Sequence, residues 1–209
     1  AALDPGCQLW LFDGKLVELL PFMAVAERFV GADLEEASDA LDALRREMEA
    51  RFGRLLARRS RKVEQGDPEP IVVVVIDELA FYVAGTDKRQ SQDFSDRLRD
   101  IVARGRAAGI VVVAATQKPS TDLIPSALRD NFSFRLAHRC ATRDASDTIL
   151  GAGWASLDYS ASSIDPAQRG VGYLLAEGGL PRRMRTYNLS DDGIEHIVQL
   201  AVRSRGGSR

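Results

Sequence analysis

Two carboxylates directly follow an apolar run in this sequence. Ile71-Val72-Val73-Val74-Val75-Ile76 is an unbroken stretch of β-branched residues, and Asp77-Glu78 come next. A run without polar alternation reads as a strand buried on both faces, as at the centre of a parallel sheet. The C-terminal end of such a strand opens on a ligand crevice. There, one carboxylate can hold Mg²⁺ through water while the second polarises an attacking water, the chemistry of nucleoside triphosphate hydrolysis. A second apolar run, Ile110 to Ala115, ends in Thr116-Gln117. Polar side chains at the end of a neighbouring parallel strand are placed to sense a γ-phosphate. Taken locally, the competing readings are a core strand that meets a solvated acidic pair and an ordinary strand-exit loop.

A triphosphate site also needs a phosphate cradle, G-x-x-x-x-G-K-[ST]. The sequence has none. Gly14-Lys15 lacks a glycine at the earlier spacing, and Leu16 stands where a Mg²⁺-binding hydroxyl belongs. Half of any such site is therefore missing from these residues.

The elements that must position the polar pairs can be read from periodicity. Gln8 to Phe12 is a short buried strand ending at Asp13-Gly14, followed by a helical stretch through Leu16, Leu19 and Leu20. Ala37, Leu41, Leu44, Met48, Phe52 and Leu55 make one apolar stripe at the 3.6 period, a long helix. It ends in Arg58-Arg59-Ser60-Arg61-Lys62, a solvated helix end whose cations complement the dipole. A helix through Phe94, Leu98, Ile101 and Val102 leads to the second apolar strand. Then come a short helix from Pro125, a strand near Phe134 to Ala137, a helix near Ala145 to Leu150, strands at Gly172 to Ala176 and Met184 to Leu189, and a last helix opened by Asp191-Asp192. Strands alternate with helices, which predicts an α/β fold with a mostly parallel sheet.

The 209 residues carry 28 Lys+Arg against 30 Asp+Glu, a net charge of −2, and are 45% hydrophobic and 28% charged. These values describe a globular chain, and no apolar run approaches the roughly 20 residues of a membrane span. Cys7 and Cys140 have no partners at metal or redox spacing, which argues against a disulfide framework or a zinc module. His138 and His196 likewise lack a ligand partner and read as structural.

Several ordered blocks resemble the FtsK/SpoIIIE motor ATPases, over nearly the whole chain from Phe12 to Val202. Phe12-Asp13-Gly14-Lys15-Leu16-Val17-Glu18-Leu19 is similar to the family's IDPKxxEL segment. Arg46-Glu47-Met48-Glu49-Ala50-Arg51-Phe52 is similar to its EMERRY helix, and Val75-Ile76-Asp77-Glu78-Leu79-Ala80 to its Walker B segment, VDEFAD. Arg106-Ala107-Ala108-Gly109-Ile110, Ala115-Thr116-Gln117-Lys118-Pro119-Ser120 and Ser146-Asp147-Thr148-Ile149-Leu150 resemble ARAAGI, ATQRPS and SRTIL, with Asp147 in place of the last block's arginine.

The resemblance implies a RecA-like P-loop NTPase core, incomplete at its N-terminal side, over residues 1–203, with 204–209 a flexible tail. It implies ATP and Mg²⁺ as cofactors. Asp77 would support the metal, Glu78 would be the catalytic base, and Thr116 and Gln117 would be γ-phosphate sensors. Arg135, in Asn131-Phe132-Ser133-Phe134-Arg135, matches the family's NIPTR arginine, a finger acting on the neighbouring subunit's nucleotide. A guanidinium is the right group to stabilise charge on a transferring phosphoryl. The implied partners are double-stranded DNA and further copies in a hexameric ring, with DNA gripped through its backbone charge. Candidate contacts are Arg143, in the loop before Ser146, and Arg182, Arg183 and Arg185, between the last two strands. The implied place is the cytoplasm at the inner face of the membrane, held there by segments absent from this chain. The expected activity is ATP-driven DNA translocation for chromosome segregation or conjugative transfer. The chain by itself is expected to be inactive. The alternatives are an ATPase subunit of a protein secretion system and a non-enzymatic RecA-like assembly module.

Overall fold

A computed structural model describes residues 1–64 and 66–206. The chain forms two units, Ala1–Thr116 with Ser190–Arg209, and Gln117–Leu189.

The first unit is built on a four-stranded parallel sheet of β1 (Cys7–Phe12), β2 (Arg28–Val30), β3 (Ile71–Ile76) and β4 (Ile110–Ala114), in the order β2-β1-β3-β4. The two apolar runs lie side by side as expected, with Val72 opposite Ile110 and Ile76 opposite Ala114. One face of the sheet is covered by α1 (Leu34–Arg58), α2 (Leu79–Val83) and α3 (Lys88–Arg104). The stripe predicted for α1 is buried through Ala37, Leu41, Leu44, Met48 and Leu55. Asp33 caps its N-terminus by accepting from the Glu35 and Glu36 amides, and Arg59, with φ 56°, ends it. Phe12, Tyr82 and Phe94 meet on this face, with ring centroids 5.1–6.2 Å apart. On the other face, Leu9, Leu11 and Val25 pack with Ala201 of the last helix, α6 (Asp191–Gly206), and with Val73 and Val75.

That second layer explains a departure from expectation. Both apolar runs predict burial on both faces. It holds for β3, whose Val73 and Val75 join the cluster under α6. On β4, the corresponding Val111 and Val113 are 44% and 52% exposed. β4 is an edge strand, and the α6 layer is centred on β1 and β3.

Three other differences are local. No helix covers Leu16 and Leu19. The chain turns there, and a 3₁₀ helix begins only at Leu20, with Pro21 in its first turn. The three-residue β2 was not legible as a strand. The last helix runs through Gly206, three residues into the segment read as a tail; residues 207–209 lie outside the described residues. Arg205 donates from Nε to the Ala2 carbonyl at 3.0 Å and from Nη2 to the Ala1 and Asp4 carbonyls at 3.1 and 3.0 Å.

Arg51, inside the EMERRY-like block, is a buried guanidinium, 1% exposed. It donates to Glu47 Oε1 at 2.8 Å and to the Pro70 and Ala108 carbonyls at 2.8 and 2.9 Å. It thereby ties α1 to the entry of β3 and to the turn before β4. Replacing it by Met strands these two carbonyls at about 1–3 kcal/mol each. Arg51→Met is expected to lower unfolding free energy by about 3 kcal/mol in urea titrations; a loss under about 1 kcal/mol would show the clamp to be dispensable. The basic helix end is engaged in the same region. Arg58 pairs with Glu69 at 3.0 Å and Asp67 at 3.7 Å, and Lys62 with Glu64 at 3.6 Å.

The second unit carries an antiparallel sheet, β5 (Phe134–His138), β6 (Val171–Ala176) and β7 (Arg182–Arg185), in that order. Alternation of strands and helices in sequence gave no sign of this change of sheet type. Its core is Ala137, Leu150, Ala161, Ile164, Val171 and Leu175, closed by α5 (Arg143–Leu150). The short helix α4 is Ser126–Arg129.

Candidate nucleotide-hydrolysis site

Parallel pairing brings the ends of β1, β3 and β4 to one edge. The Asp77 amide donates to the Phe12 carbonyl at 3.0 Å, the Ala115 amide to Ile76 at 2.8 Å, and the Leu79 amide to Ala115 at 2.7 Å. These bonds continue the ladders one step past the strands and set Asp13, Asp77-Glu78 and Thr116 beside each other. Glu78 is 6% exposed, and Thr116 Oγ1 donates to its Oε1 at 2.6 Å. The two sequence signals, 38 residues apart, are thus one hydrogen-bonded pair. Thr116, expected at a γ-phosphate, has its hydroxyl on the candidate base. Gln117 is exposed and begins the second unit.

Asp77 is half-buried, and its carboxyl is held above the usual carboxylate range. Burial is the main cause. The negative charges of Asp13, Glu18 and Glu78 add to it, and Lys15 opposes them. A carboxylate crowded by like charges is suited to a divalent cation. Among the described residues, however, no group of three His, Cys, Asp or Glu could hold a metal by itself. The donor set therefore fits Mg²⁺ bound through one carboxylate, water and a ligand's phosphates, and not a protein-only cage. Asp77 is the residue that would hold it.

Sequence reading passed over Asp13, which is fully buried. Its carboxylate accepts from the amides of Lys15 (3.2 Å), Val17 (2.9 Å) and Leu19 (2.9 Å). The signal was there to read: the two innermost strands both end in an acid. Gly14 then passes so close to Phe81 of α2 that a Cβ would lie 2.5 Å from the ring.

In the second unit, Arg135 is on β5 with its side chain 19% exposed. Its Nε donates to the Phe132 carbonyl at 3.0 Å, and Nη2 lies 3.7 Å from Asp130 Oδ1. Arg143 is not in a loop; it is the first residue of α5, and it is exposed. Arg182, Arg183 and Arg185 are not between strands but form β7 itself, all exposed. The pleat splits them. Arg183 and Arg185 share the face of their partners Tyr173 and Val171, and Arg182 is on the other. Arg183 also bonds Gln168. Asp147, which replaces the arginine of SRTIL, holds the turn after α5. Its carboxylate accepts from the Gly153 and Ala155 amides at 3.0 and 2.9 Å. Cys7 and Cys140 are free thiols, both shifted upward mainly by burial, which disfavours the reactive thiolate.

Among solved structures, the chain is similar to the pCW3 conjugation coupling protein TcpA, a monomer form with ATPgS, at TM-score 0.80 and 20% identity, covering 95% of this chain and 58% of that one. It is also similar to EssC (ATPases 2 and 3) from Geobacillus thermodenitrificans, at TM-score 0.71 and 17% identity, covering 98% of this chain and 39% of that one. The chain shares its fold with these two proteins. In sequence, the chain is 30% identical to DNA translocase FtsK of Staphylococcus epidermidis over 167 residues, 71% of this chain and 20% of the relative. It is 30% identical to DNA translocase FtsK of Bacillus cereus over 212 residues, 93% of this chain and 25% of the relative. In sequence the chain is thus similar to part of the FtsK DNA translocases. It spans about a quarter or less of the length of these curated relatives. No protein-family model matches it.

Proposed function

We propose that this chain is the Walker B half of an ATP-driven DNA translocase subunit. The observation that carries the reading is the buried Glu78 carboxylate, fixed by the Thr116 hydroxyl at 2.6 Å on the C-terminal edge of a parallel sheet. Glu78 would accept a hydrogen bond from water and orient it for attack, with Thr116 limiting the carboxylate's rotation. Asp77 would hold Mg²⁺, which supplies charge stabilisation at the phosphates when bound. Gln117 follows Thr116 and would read the γ-phosphate. The phosphate cradle would come from a segment outside these residues, and β4, an edge strand with Val111 and Val113 exposed, leaves a place for such a segment to join. Arg135 would act on the nucleotide of a neighbouring copy in a hexameric ring. Arg143, Arg182, Arg183 and Arg185 would meet the phosphates of duplex DNA. Among the described residues no helix is long and apolar enough to cross a membrane. A location at the inner face of the cell membrane would need segments other than these.

The full-length protein is expected to hydrolyse Mg·ATP faster with duplex DNA, and the 209-residue chain alone is expected to show no turnover. DNA affinity should fall with salt, and Arg183→Ala/Arg185→Ala should make that slope shallower by about 1 for each phosphate no longer neutralised. Turnover by the isolated chain, abolished in Asp77→Asn, would show that the site needs no outside cradle. The likeness to the Type VII secretion ATPase EccC of Thermomonospora curvata, at TM-score 0.70 and 20% identity over 97% of this chain and 24% of that one, supports a second reading, a secretion ATPase. It takes over if DNA leaves turnover unchanged and an unfolded polypeptide substrate raises it.

A further inference from the structure

The carboxylate of Asp13 is fully buried, and the chemistry above gives it nothing to do. Its own amide donates to the Val30 carbonyl at 2.9 Å, and its two oxygens accept the three amides of Lys15, Val17 and Leu19. A carboxylate surrounded by backbone donors is a strong local anchor, because charge-assisted bonds in a dry environment are about twice as strong as neutral ones. What it anchors is a loop with exposed side chains. Leu16 and Val17 are 48% and 62% exposed, and Lys15 and Glu18 are exposed too. Leu19 packs against the cluster of Leu9, Leu11 and Val25, but residues 15–18 are exposed, so packing does not explain why that stretch is fixed so firmly. It is gripped a second time at Gly14, against Phe81, and it accommodates Leu16 in a left-handed conformation, φ 55°. Phe12 is in register with Ile76, so the loop leaves the sheet beside Asp77. A held backbone, an exposed lysine just past the strand end and an acidic sheet edge next to it are what a binding site for a metal-bound polyanion requires.

We propose that Asp13 is a positioning residue for the nucleotide site, fixing the loop over residues 14–19 so that Lys15 binds the nucleotide's polyphosphate. The inference rests on the site reading above. Lys15 contributes a compact ammonium that recognises phosphate as a point charge. It binds ground state and transition state alike, so its loss raises KM and spares kcat.

The test uses the full-length protein with Mg·ATP. Lys15→Ala should raise KM about 10-fold with kcat within about 2-fold of wild type, and Lys15→Arg should restore most of the loss. Asp13→Asn should raise KM similarly and add nothing in the Lys15→Ala background, since both act through one interaction. Lys15→Ala is at an exposed side chain, so it decides the matter even if Asp13→Asn melts below the assay temperature. An unchanged KM in Lys15→Ala overturns this inference. So does an Asp13→Asn effect that simply adds to that of Lys15→Ala. Glu78→Gln is run in parallel: if it is inactive while Lys15→Ala is normal, the loop proposal fails and the site reading stands. If Glu78→Gln turns over at the wild-type rate, the site reading itself fails.

Discussion

Full-length Arg135→Ala and Glu78→Gln subunits, each inactive alone, should regain part of the ATPase activity when mixed. The expectation comes from the resemblance of the Asn131–Arg135 segment to the family's arginine motif. Glu78, at the N-cap of α2 just past β3, belongs to the first unit, and Arg135, on β5, to the second. The Nε bond to the Phe132 carbonyl fixes the plane of the Arg135 guanidinium, so its fork is pre-organised for an oxyanion. If that fork serves the nucleotide of the next subunit, some interfaces in the mixture join an intact arginine to an intact base. Arginine fingers supplied in trans contribute about 10³–10⁵ in rate, so even a minority of repaired interfaces is measurable over the background of either variant. The measurement is steady-state ATPase against mixing ratio, with ring assembly checked by mass. An arginine acting within its own subunit repairs no interface, and activity then stays at the level of the two variants.

Glu78→Gln by itself should bind nucleotide with near wild-type affinity and lose about 10²–10⁴ in turnover. The amide is close in shape to the carboxylate, and its carbonyl can still accept from Thr116 Oγ1. That hydrogen bond is therefore retained, while the charge proposed to orient and deprotonate water is removed. A stability effect and a chemical effect are separable on that basis. Calorimetric nucleotide binding and thermal melting should both stay close to wild type while the rate collapses. Wild-type turnover in this variant would remove Glu78 from the mechanism.

The fold was legible where hydrophobic pattern and burial agree. The uninterrupted run at β3 and the stripe of α1 predicted their elements nearly to the residue, because both are enclosed by neighbours on the faces the pattern demands. At β4 the same pattern over-predicted burial, since composition does not say which strand stands at the edge. The stretch after Asp13 read as helix from Leu16, Leu19 and Leu20, but the buried carboxylate takes the amides of Lys15, Val17 and Leu19 and bends the backbone instead. The candidate site was legible as two separate strand ends. Their union through the Thr116–Glu78 bond depends on a parallel register that only pairing reveals. The arginines of β7 were found by charge, yet the pleat divides them between two faces, which spacing in an unrecognised strand could not show.

The position of α6 has a bearing on synthesis. One face of the first unit's sheet is closed by Ala201, and Arg205 of the same helix grips the carbonyls of Ala1, Ala2 and Asp4. Residues 1–116 therefore leave the ribosome well before the segment that completes their packing. Between the two, the ribosome must translate the whole second unit, Gln117–Leu189. At about 5–20 residues per second, that interval lasts several seconds. During it, Leu9, Leu11, Val73 and Val75 have no cover from the last helix. Packing of the first unit's sheet is thus completed only after the second unit has been made.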